Sequence, residues 1–236
     1  MRRALVIVAK APRPGRAKTR LVPPLSPAQA AALSGAFLLD TIETGLSLAW
    51  ERISLIHPAG QDDAARLSAF VPSAVTLCAQ HGAGLGDALR GAFADHFAQG
   101  FERVVLIDSD SPTLPARLLD AACAGLADHD VTIGPTADGG YYLLGLRGRH
   151  DALFDEIGWS TPSVYRQTLR RAAVLRVQTL PEWYDVDMPD DLTRLQLDLA
   201  NLPGRVAPHT RQALAGFQQS FRPTRPSFGA QTARRA

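Results

Sequence analysis

Strand-like and helix-like segments alternate along the first 200 residues of the chain. Short apolar runs, such as residues 4–9 and 104–107, have the length of buried strands. Ala- and Leu-rich helical patterns lie between such runs, and Ser26-Pro27 supplies an N-cap and a first-turn proline for one of them. Repeated strand-then-helix order is typical of a parallel sheet that helices cover on both faces. The sequence therefore predicts a three-layer α/β/α fold with a mainly parallel, mixed sheet.

The expected elements divide the chain into a folded region and a tail. Strands are expected at residues 4–9, 53–56, 74–78, 104–107, 131–133, 141–144 and 175–180, and helices at residues 26–49, 62–70, 87–97, 115–126, 163–173 and 190–199. From about residue 201 the composition shifts to Pro, Arg, Gln and Ser. We expect one domain over residues 1–200 and a flexible extension over 201–236, in which Leu214 and Phe217 could dock a short helix.

Composition excludes several classes of protein. The formal net charge of +2 does not indicate a nucleic-acid partner. No stretch approaches the roughly 20 apolar residues that span a bilayer. Cys78 and Cys123 form neither a metal-binding spacing nor a disulfide framework, which fits a reducing compartment. We expect a cytoplasmic protein without nucleic-acid or membrane partners, and a homodimer stays open.

A turn-rich, cationic loop follows the first expected strand. Pro12, Pro14 and Gly15 prevent a helix directly after it. The five cations of the loop are Lys10, Arg13, Arg16, Lys18 and Arg20. In open α/β sheets, ligands bind beyond the carboxyl ends of the strands. The loop therefore indicates an anion-binding site, although it lacks both the P-loop and the dinucleotide-binding glycine patterns.

Two acidic segments are candidate metal sites. Asp108-Ser109-Asp110 follows a fully apolar strand, where carboxylates suit Mg²⁺ or Mn²⁺. The alternative is that one of these carboxylates only caps the helix that begins near Pro115. The second segment comprises residues 185–191. Asp190 and Asp191 fit the first turn of a helix, so Asp187 is the better candidate ligand.

Two glycine-containing segments could approach a substrate closely. Paired glycines in Asp138-Gly139-Gly140 allow backbone conformations that are closed to other residues. The segment of residues 82–86 opens an expected helix and could hold a nucleotide. Taken alone, each is more simply explained as an ordinary turn.

Taken in order, four motifs resemble the glycosyltransferase-A-like transferases of bacteria, of the type associated with radical-SAM and selenium-domain genes. The motifs are Lys10-Ala11-Pro12 with Ala17-Lys18-Thr19-Arg20-Leu21, Asp110-Ser111-Pro112, Asp138-Gly139-Gly140-Tyr141, and Asp185-Val186-Asp187 with Asp191-Leu192. The resemblance covers residues 4–199. More distantly, the chain is similar to phospholactate guanylyltransferase and molybdenum-cofactor guanylyltransferase. The resemblance implies the nucleotide-diphospho-sugar transferase (GT-A, Rossmann-like) fold.

The resemblance also implies roles for individual residues. Nucleotide binding is implied for Ala9, Lys10, Arg13, Gly15, Lys18, Arg20, Gln80, Gly84 and Gly86, and acceptor binding for Asp138, Gly139, Gly140, Tyr141 and Trp159. The implied catalytic residues are Lys18, Arg20 and Asp110. Asp110 and Asp187 would hold Mg²⁺ or Mn²⁺. Asp108 stands where a glycine is expected, so its role as a further ligand stays open, and Trp159 could equally serve in packing.

These expectations lead to a hypothesis of metal-dependent nucleotidyl transfer from a nucleoside triphosphate to a small phosphorylated acceptor, with release of pyrophosphate. Such chemistry needs charge neutralisation and alignment more than a covalent catalyst. The alternative is glycosyl transfer from a nucleotide-sugar, because Asp108-Ser109-Asp110 has the spacing of an Asp-x-Asp metal motif. The number of cations in the first loop favours a triphosphate. A non-catalytic nucleotide-binding protein is a third alternative.

Overall fold

A seven-stranded mixed sheet forms the centre of the computed structural model, which describes residues 1–82 and 84–220. In chain order the strands are β1 (Arg3–Val8), β2 (Arg52–His57), β3 (Val75–Ala79), β4 (Arg103–Asp108), β5 (Val131–Pro135), β6 (Tyr141–Leu146) and β7 (Val177–Thr179). Their spatial order is β3-β2-β1-β4-β6-β5-β7. Strand β6 is antiparallel to both of its neighbours, and the other pairs are parallel. The predicted mainly parallel, mixed sheet is confirmed.

Helices follow most of the strands, as the alternating pattern predicts. They are α1 (Pro27–Leu46), α2 (Gln61–Ser68), α3 (Leu85–Ala98), α4 (Ala116–Gly125), α5 (Val164–Arg171), α6 (Pro189–Asn201) and α7 (Pro208–Ser220). Helix α1 begins where the sequence indicates. The Ser26 Oγ atom accepts a hydrogen bond from the Gln29 amide at 3.2 Å, and the Ser26 amide donates to Gln29 Oε1 at 2.9 Å. This reciprocal cap satisfies two amides that the helix leaves without partners.

Strand β1 shows why helices must cover both faces of the sheet. Leu5 and Ile7 belong to an apolar cluster that also includes residues of α1 and α4. Ala4 and Val6 belong to a second cluster, which contains Phe93 of α3. Because successive side chains of a strand point to opposite faces, a strand that is apolar throughout must be buried on both sides.

A third apolar cluster fixes the end of the cationic loop. Leu21, which is fully buried, packs here with residues of α1, α6 and α7 and with Val186.

Within the described residues, no helix is long and apolar enough to cross a membrane.

The extension expected from residue 201 begins with ordered structure. Residues 208–220 form α7, and Leu214 and Phe217 pack in the third cluster. The buried Asp40 carboxylate of α1 accepts hydrogen bonds from the amides of His209 and Thr210, at 2.9 and 2.8 Å, at the start of α7. Such a carboxylate satisfies amides at a helix N-terminus, so it holds α7 on α1. Residues 221–236, to which the flexibility expectation also applied, lie outside the described residues.

Candidate functional site

The cationic loop and the first acidic segment meet at one edge of the sheet. Strands β1 and β4 are parallel neighbours, and Val8 lies opposite Asp108 in their register. Both strands therefore end at the same level, and the segments that follow them emerge side by side. This is the edge at which open α/β sheets bind ligands.

Lys18 joins the loop to both acidic segments. Its Nζ atom lies 2.8 Å from Asp110 Oδ1 and 2.7 Å from Asp187 Oδ1. The Lys18 side chain is only 5% exposed, whereas those of Asp110 and Asp187 are 36% and 38% exposed. Burial opposes the charged form of Lys18, but the two carboxylates outweigh it, so the pKa of Lys18 is raised above its usual 10.5. Lys18 is thus a buried ammonium that two carboxylates share.

The backbone holds Asp110 in place from several directions. Its amide donates a hydrogen bond to Asp108 Oδ1 at 2.9 Å, and its carbonyl oxygen accepts one from the Val186 amide at 2.9 Å. The neighbouring Ser111 Oγ donates to the Tyr184 carbonyl oxygen, also at 2.9 Å. These bonds tie the two acidic segments to each other, so the Asp110 carboxylate is free to face Lys18.

Asp187 and Asp191 have different tasks, as the sequence indicates. The Asp191 Oδ2 atom accepts hydrogen bonds from the amides of Asp187 and Met188, at 3.1 and 2.7 Å, and so caps α6. The Asp187 carboxylate faces Lys18 instead. Asp187 is therefore the residue of this segment that could hold a cation.

Three further carboxylates, those of Asp108, Asp185 and Asp138, add negative charge around Asp110 and Asp187. Burial, together with the charges of Asp110 and Asp185, raises the pKa of Asp108 well above its usual value. Burial and the charges of Asp187 and Asp138 raise the pKa of Asp185 to about 6. A site with so many acidic groups and one ammonium can accept additional positive charge.

The acidic pair fits a divalent cation. The Lys18 ammonium shows that one cation can lie within 2.8 Å of an oxygen of each of the two carboxylates, Asp110 and Asp187. Hard carboxylate oxygens are the ligands that Mg²⁺ and Mn²⁺ prefer. Asp108 Oδ1 accepts a hydrogen bond from the Asp110 amide, which orients the Asp108 carboxylate beside the pair.

A cleft with a volume of about 390 Å³ lies on the cationic loop. Lys10, Arg13, Arg16 and Thr19 line it, together with Gly15, Pro58 and Asp63. Arg13 is bound to Asp63 of α2 at 2.6 Å and lies 3.8 Å from Asp62. Lys10, Arg16 and Arg20 are exposed, and within the described residues they have no ion-pair partner. These three cations are therefore available to an anion, whereas Arg13 holds the loop to α2.

A larger cleft of about 510 Å³ lies between α1 and α7. It is lined mainly by small or apolar side chains such as Ala31, Ala36 and Phe70, and His209 is its one ionisable residue among those described. Its described lining contains no lysine or arginine, so it does not suit phosphate. The smaller cleft is the better candidate.

The glycine-containing segment expected to hold a nucleotide contacts Trp159 through Gly86. A Cβ atom on Gly86 would lie 2.4 Å from Trp159 Nε1, so the residue at this position of α3 must be small. Gly84 directly precedes α3, and the Gln80 amide donates to the His57 carbonyl oxygen at 2.8 Å. Trp159 is half-buried and packs against the second apolar cluster. The structure thus brings Gly86 and Trp159 together. Trp159 also has the packing role that the sequence left open, because it contacts the second apolar cluster.

The loop between β5 and β6 brings Asp138 within electrostatic reach of Asp185. Asp138 Oδ1 accepts hydrogen bonds from Thr136 Oγ1 at 2.5 Å and from the Gly140 amide at 3.0 Å. Gly139 has a φ of +90°, and a Cβ atom there would lie 2.0 Å from a backbone oxygen. Tyr141 packs against the second apolar cluster, where burial raises the pKa of its hydroxyl group. Asp138 therefore acts electrostatically on Asp185, whereas the Tyr141 side chain is buried in an apolar cluster.

Asp185 is a member of the site to which the sequence analysis gave no role. Its alternation with Asp187 in a non-helical segment is the signal that could have found it, because residues i and i+2 of an extended chain lie on one face. Arg13 was expected to bind phosphate. In the structure its guanidinium group is instead bound by the Asp63 carboxylate. Ala9 is buried at the end of β1, where its amide donates to Ile56.

Comparison with protein families gives one match. Residues 43–161 match the family DUF2064, which is described as "Uncharacterized protein conserved in bacteria". The matched region contains Asp110 and the loop of Asp138. No curated protein is similar enough to count as a match.

Several solved structures share the fold. A protein of Desulfovibrio desulfuricans G20 that carries the provisional name nucleotide-diphospho-sugar transferase is 32% identical, with a TM-score of 0.83 over 93% of this chain and 98% of its own. CMP:2-keto-3-deoxy-manno-octonic acid synthetase, complexed with CTP, is 14% identical with a TM-score of 0.56, over 85% and 99% of the two chains. Rv0371C of Mycobacterium tuberculosis H37Rv, in complex with manganese, is 20% identical with a TM-score of 0.50, over 83% and 98%. The chain therefore has the nucleotide-diphospho-sugar transferase fold, as expected.

Proposed function

We propose that this chain, which belongs to the family DUF2064, is a metal-dependent transferase that moves a nucleotidyl group from a nucleoside triphosphate to a small phosphorylated acceptor. One observation carries the proposal: Lys18 of a cationic loop is shared by Asp110 and Asp187 at the ligand-binding edge of the sheet. The lysine proposed to bind phosphate is thus in contact with the two carboxylates proposed to bind the metal.

The donor phosphates would bind in the cleft on the cationic loop. Lys10 and Arg16 line this cleft, and Arg20 is exposed on the same loop. A guanidinium group can bind two phosphate oxygens at once. Asp110 and Asp187 would hold Mg²⁺ or Mn²⁺. The metal, when bound, neutralises charge on the phosphate oxygens. CTP and manganese in two structures of the same fold support this division, although each belongs to another protein.

The reaction would proceed by direct displacement. An oxygen of the acceptor phosphate attacks the α-phosphorus, the bond from this phosphorus to the oxygen that bridges to the β-phosphate breaks, and pyrophosphate leaves with the bonding electrons. Lys18 and Arg20 would neutralise the negative charge that develops on the leaving group. Gly139 and Gly140 would let the acceptor approach the backbone, with Asp138 at its border.

A second candidate is glycosyl transfer from a nucleotide-sugar. It is favoured by the Asp108-Ser109-Asp110 spacing and by the name of the 32% identical relative. Against it, the described ion pairs of Lys18 are with Asp110 and Asp187 and not with Asp108. The pair that shares a cation is Asp110 with Asp187, which does not depend on an Asp-x-Asp motif.

Thermal unfolding with each of the four nucleoside triphosphates and with nucleotide-sugars, with and without Mg²⁺, tests the proposal. A ligand at 100 times its dissociation constant adds about 2.7 kcal/mol, which raises the midpoint by roughly 5–10 °C for a chain of this size. We expect a metal-dependent shift with one triphosphate, lost in Asp110→Asn and Asp187→Asn. Asp120→Asn, an exposed carboxylate on α4, is the matched control and should keep the shift.

Two outcomes would contradict nucleotidyl transfer. A shift with a nucleotide-sugar alone, accompanied by release of nucleoside diphosphate, would support glycosyl transfer. Unchanged shifts in both the Asp110 and the Asp187 variants would remove the metal site from the proposal.

A further inference from the structure

We propose that Lys18 occupies the cation position between Asp110 and Asp187 in the unliganded protein, so that a divalent cation binds there only after the donor phosphates draw Lys18 away. The proposal rests on the metal site of the proposed function and adds an order of binding. Lys18 would then be a positioning residue for the metal as well as a phosphate ligand.

The distances make the ammonium and a metal mutually exclusive. Lys18 Nζ is hydrogen-bonded to one oxygen of each carboxylate, at 2.8 and 2.7 Å. A Mg²⁺ ion would have to lie about 2.1 Å from the same oxygens. Two cations cannot both lie between these two Oδ1 atoms, because they would be in contact and repel each other. A metal that binds both Oδ1 atoms therefore requires Lys18 to leave.

Lys18 can leave without unfolding the loop. Its backbone is held by the short 3-10 turn Thr19–Leu21, in which the Leu21 amide donates to the Lys18 carbonyl oxygen at 3.0 Å, and Leu21 is fully buried. The carboxylates contact only the end of a flexible four-carbon side chain. A change of side-chain rotamer is thus enough to move the charge while the loop stays in place.

The cationic cleft is adjacent to the point from which Lys18 would move. Thr19, the next residue along the chain, lines this cleft together with Lys10 and Arg16. Donor phosphates in the cleft would offer Lys18 oxygen partners to replace the carboxylates. Each event would favour the other, since phosphate binding frees the acidic pair and a metal at the pair releases Lys18 to phosphate.

The proposal is tested by measuring the affinity for Mn²⁺ in the absence of nucleotide, with electron paramagnetic resonance as the readout. Lys18→Met removes the ammonium but keeps a side chain of similar length. We expect it to bind Mn²⁺ about tenfold or more tightly than the wild type. Arg66→Met removes an exposed cation of α2 that has no role in the proposed site, and it should bind Mn²⁺ as the wild type does. Adding Asp187→Asn to Lys18→Met should abolish the gain.

The outcomes separate this proposal from the proposed function. If the wild type already binds Mn²⁺ as tightly as Lys18→Met, and Asp187→Asn weakens that binding, the metal site stands and the placeholder role is refuted. If neither protein binds Mn²⁺ at this pair, the metal site and the placeholder role both fail. Circular dichroism checks that the variants fold, and Lys18→Gln provides a second neutral side chain for the same comparison.

Discussion

Replacing Lys18 by methionine should destabilise the protein, because Asp110 and Asp187 would then face each other without a cation between them. Their Oδ1 atoms are no more than about 5.5 Å apart, since both lie within 2.8 Å of the same nitrogen. At that distance two negative charges repel by about 3 kcal/mol at an effective dielectric constant of about 20, and by about 0.8 kcal/mol in bulk water.

The carboxylates of Asp110 and Asp187 are both more than one-third exposed, so their repulsion energy lies between these two values. Lys18→Met also removes the free-energy cost of burying an ammonium group, which offsets part of this repulsion. We expect the free energy of unfolding to fall by about 1–2 kcal/mol, or by roughly 2–8 °C in the melting midpoint. Urea unfolding in metal-free buffer measures it. Lys10→Met, the exposed control, should stay within about 0.5 kcal/mol of the wild type.

A double variant separates repulsion from simple loss of packing. Lys18→Met combined with Asp187→Asn leaves one charge where the single variant leaves two. It should be more stable than Lys18→Met alone, even though it carries more substitutions. A double variant that is no more stable than the single one would refute the electrostatic explanation and leave loss of packing around the Lys18 stem as the cause.

Three further predictions concern the surroundings of the site. Gly139→Ala should lower the melting midpoint well below that of Gly148→Ala, because both glycines have positive φ but only the first would place its Cβ atom against backbone. Asp40→Ala should cost about 1–2 kcal/mol and expose α7 to limited proteolysis, because it removes a carboxylate that binds two amides and a hydroxyl group at the start of that helix. Asp185→Asn should stabilise the metal-free protein at pH 7.5 but not at pH 4: the folded-state pKa of about 6 exceeds the usual 3.8, so wild-type stability falls as pH rises through this interval. Melting curves of both proteins at the two pH values check the last prediction, and an equal difference at both would contradict it.

The fold could be predicted from the sequence because its information is local. Apolar runs bounded by Pro, Gly and Asp identify β1 and β4, and the Ser26-Pro27 pair identifies the start of α1. The same local signals give the edge of the sheet at which a site should lie. They do not give the partner of each strand, so the position of β6 between β4 and β5 had to come from the structure.

The contacts within the site could not be predicted in the same way. Lys18 and Asp187 are 169 residues apart, and nothing near either residue indicates that they meet. The end of the folded region is a similar case. Composition indicates a polar tail after residue 201, but the amides at the start of α7 find their acceptor in Asp40, a buried carboxylate on α1. Pairings between distant segments decide which charged side chains are structural.

The five cations of the first loop show what this distinction means for function. Charge alone does not distinguish them, and their number favours a triphosphate. In the structure Arg13 is held by Asp63 and Lys18 by two carboxylates, which leaves Lys10, Arg16 and Arg20 for phosphate. The preference for a triphosphate therefore depends on the release of Lys18. Under the proposed order of binding, a donor with more negative charge would draw the ammonium out more strongly and would gain more from the metal that replaces it. The same lysine would thus link the choice of donor to the assembly of the metal site.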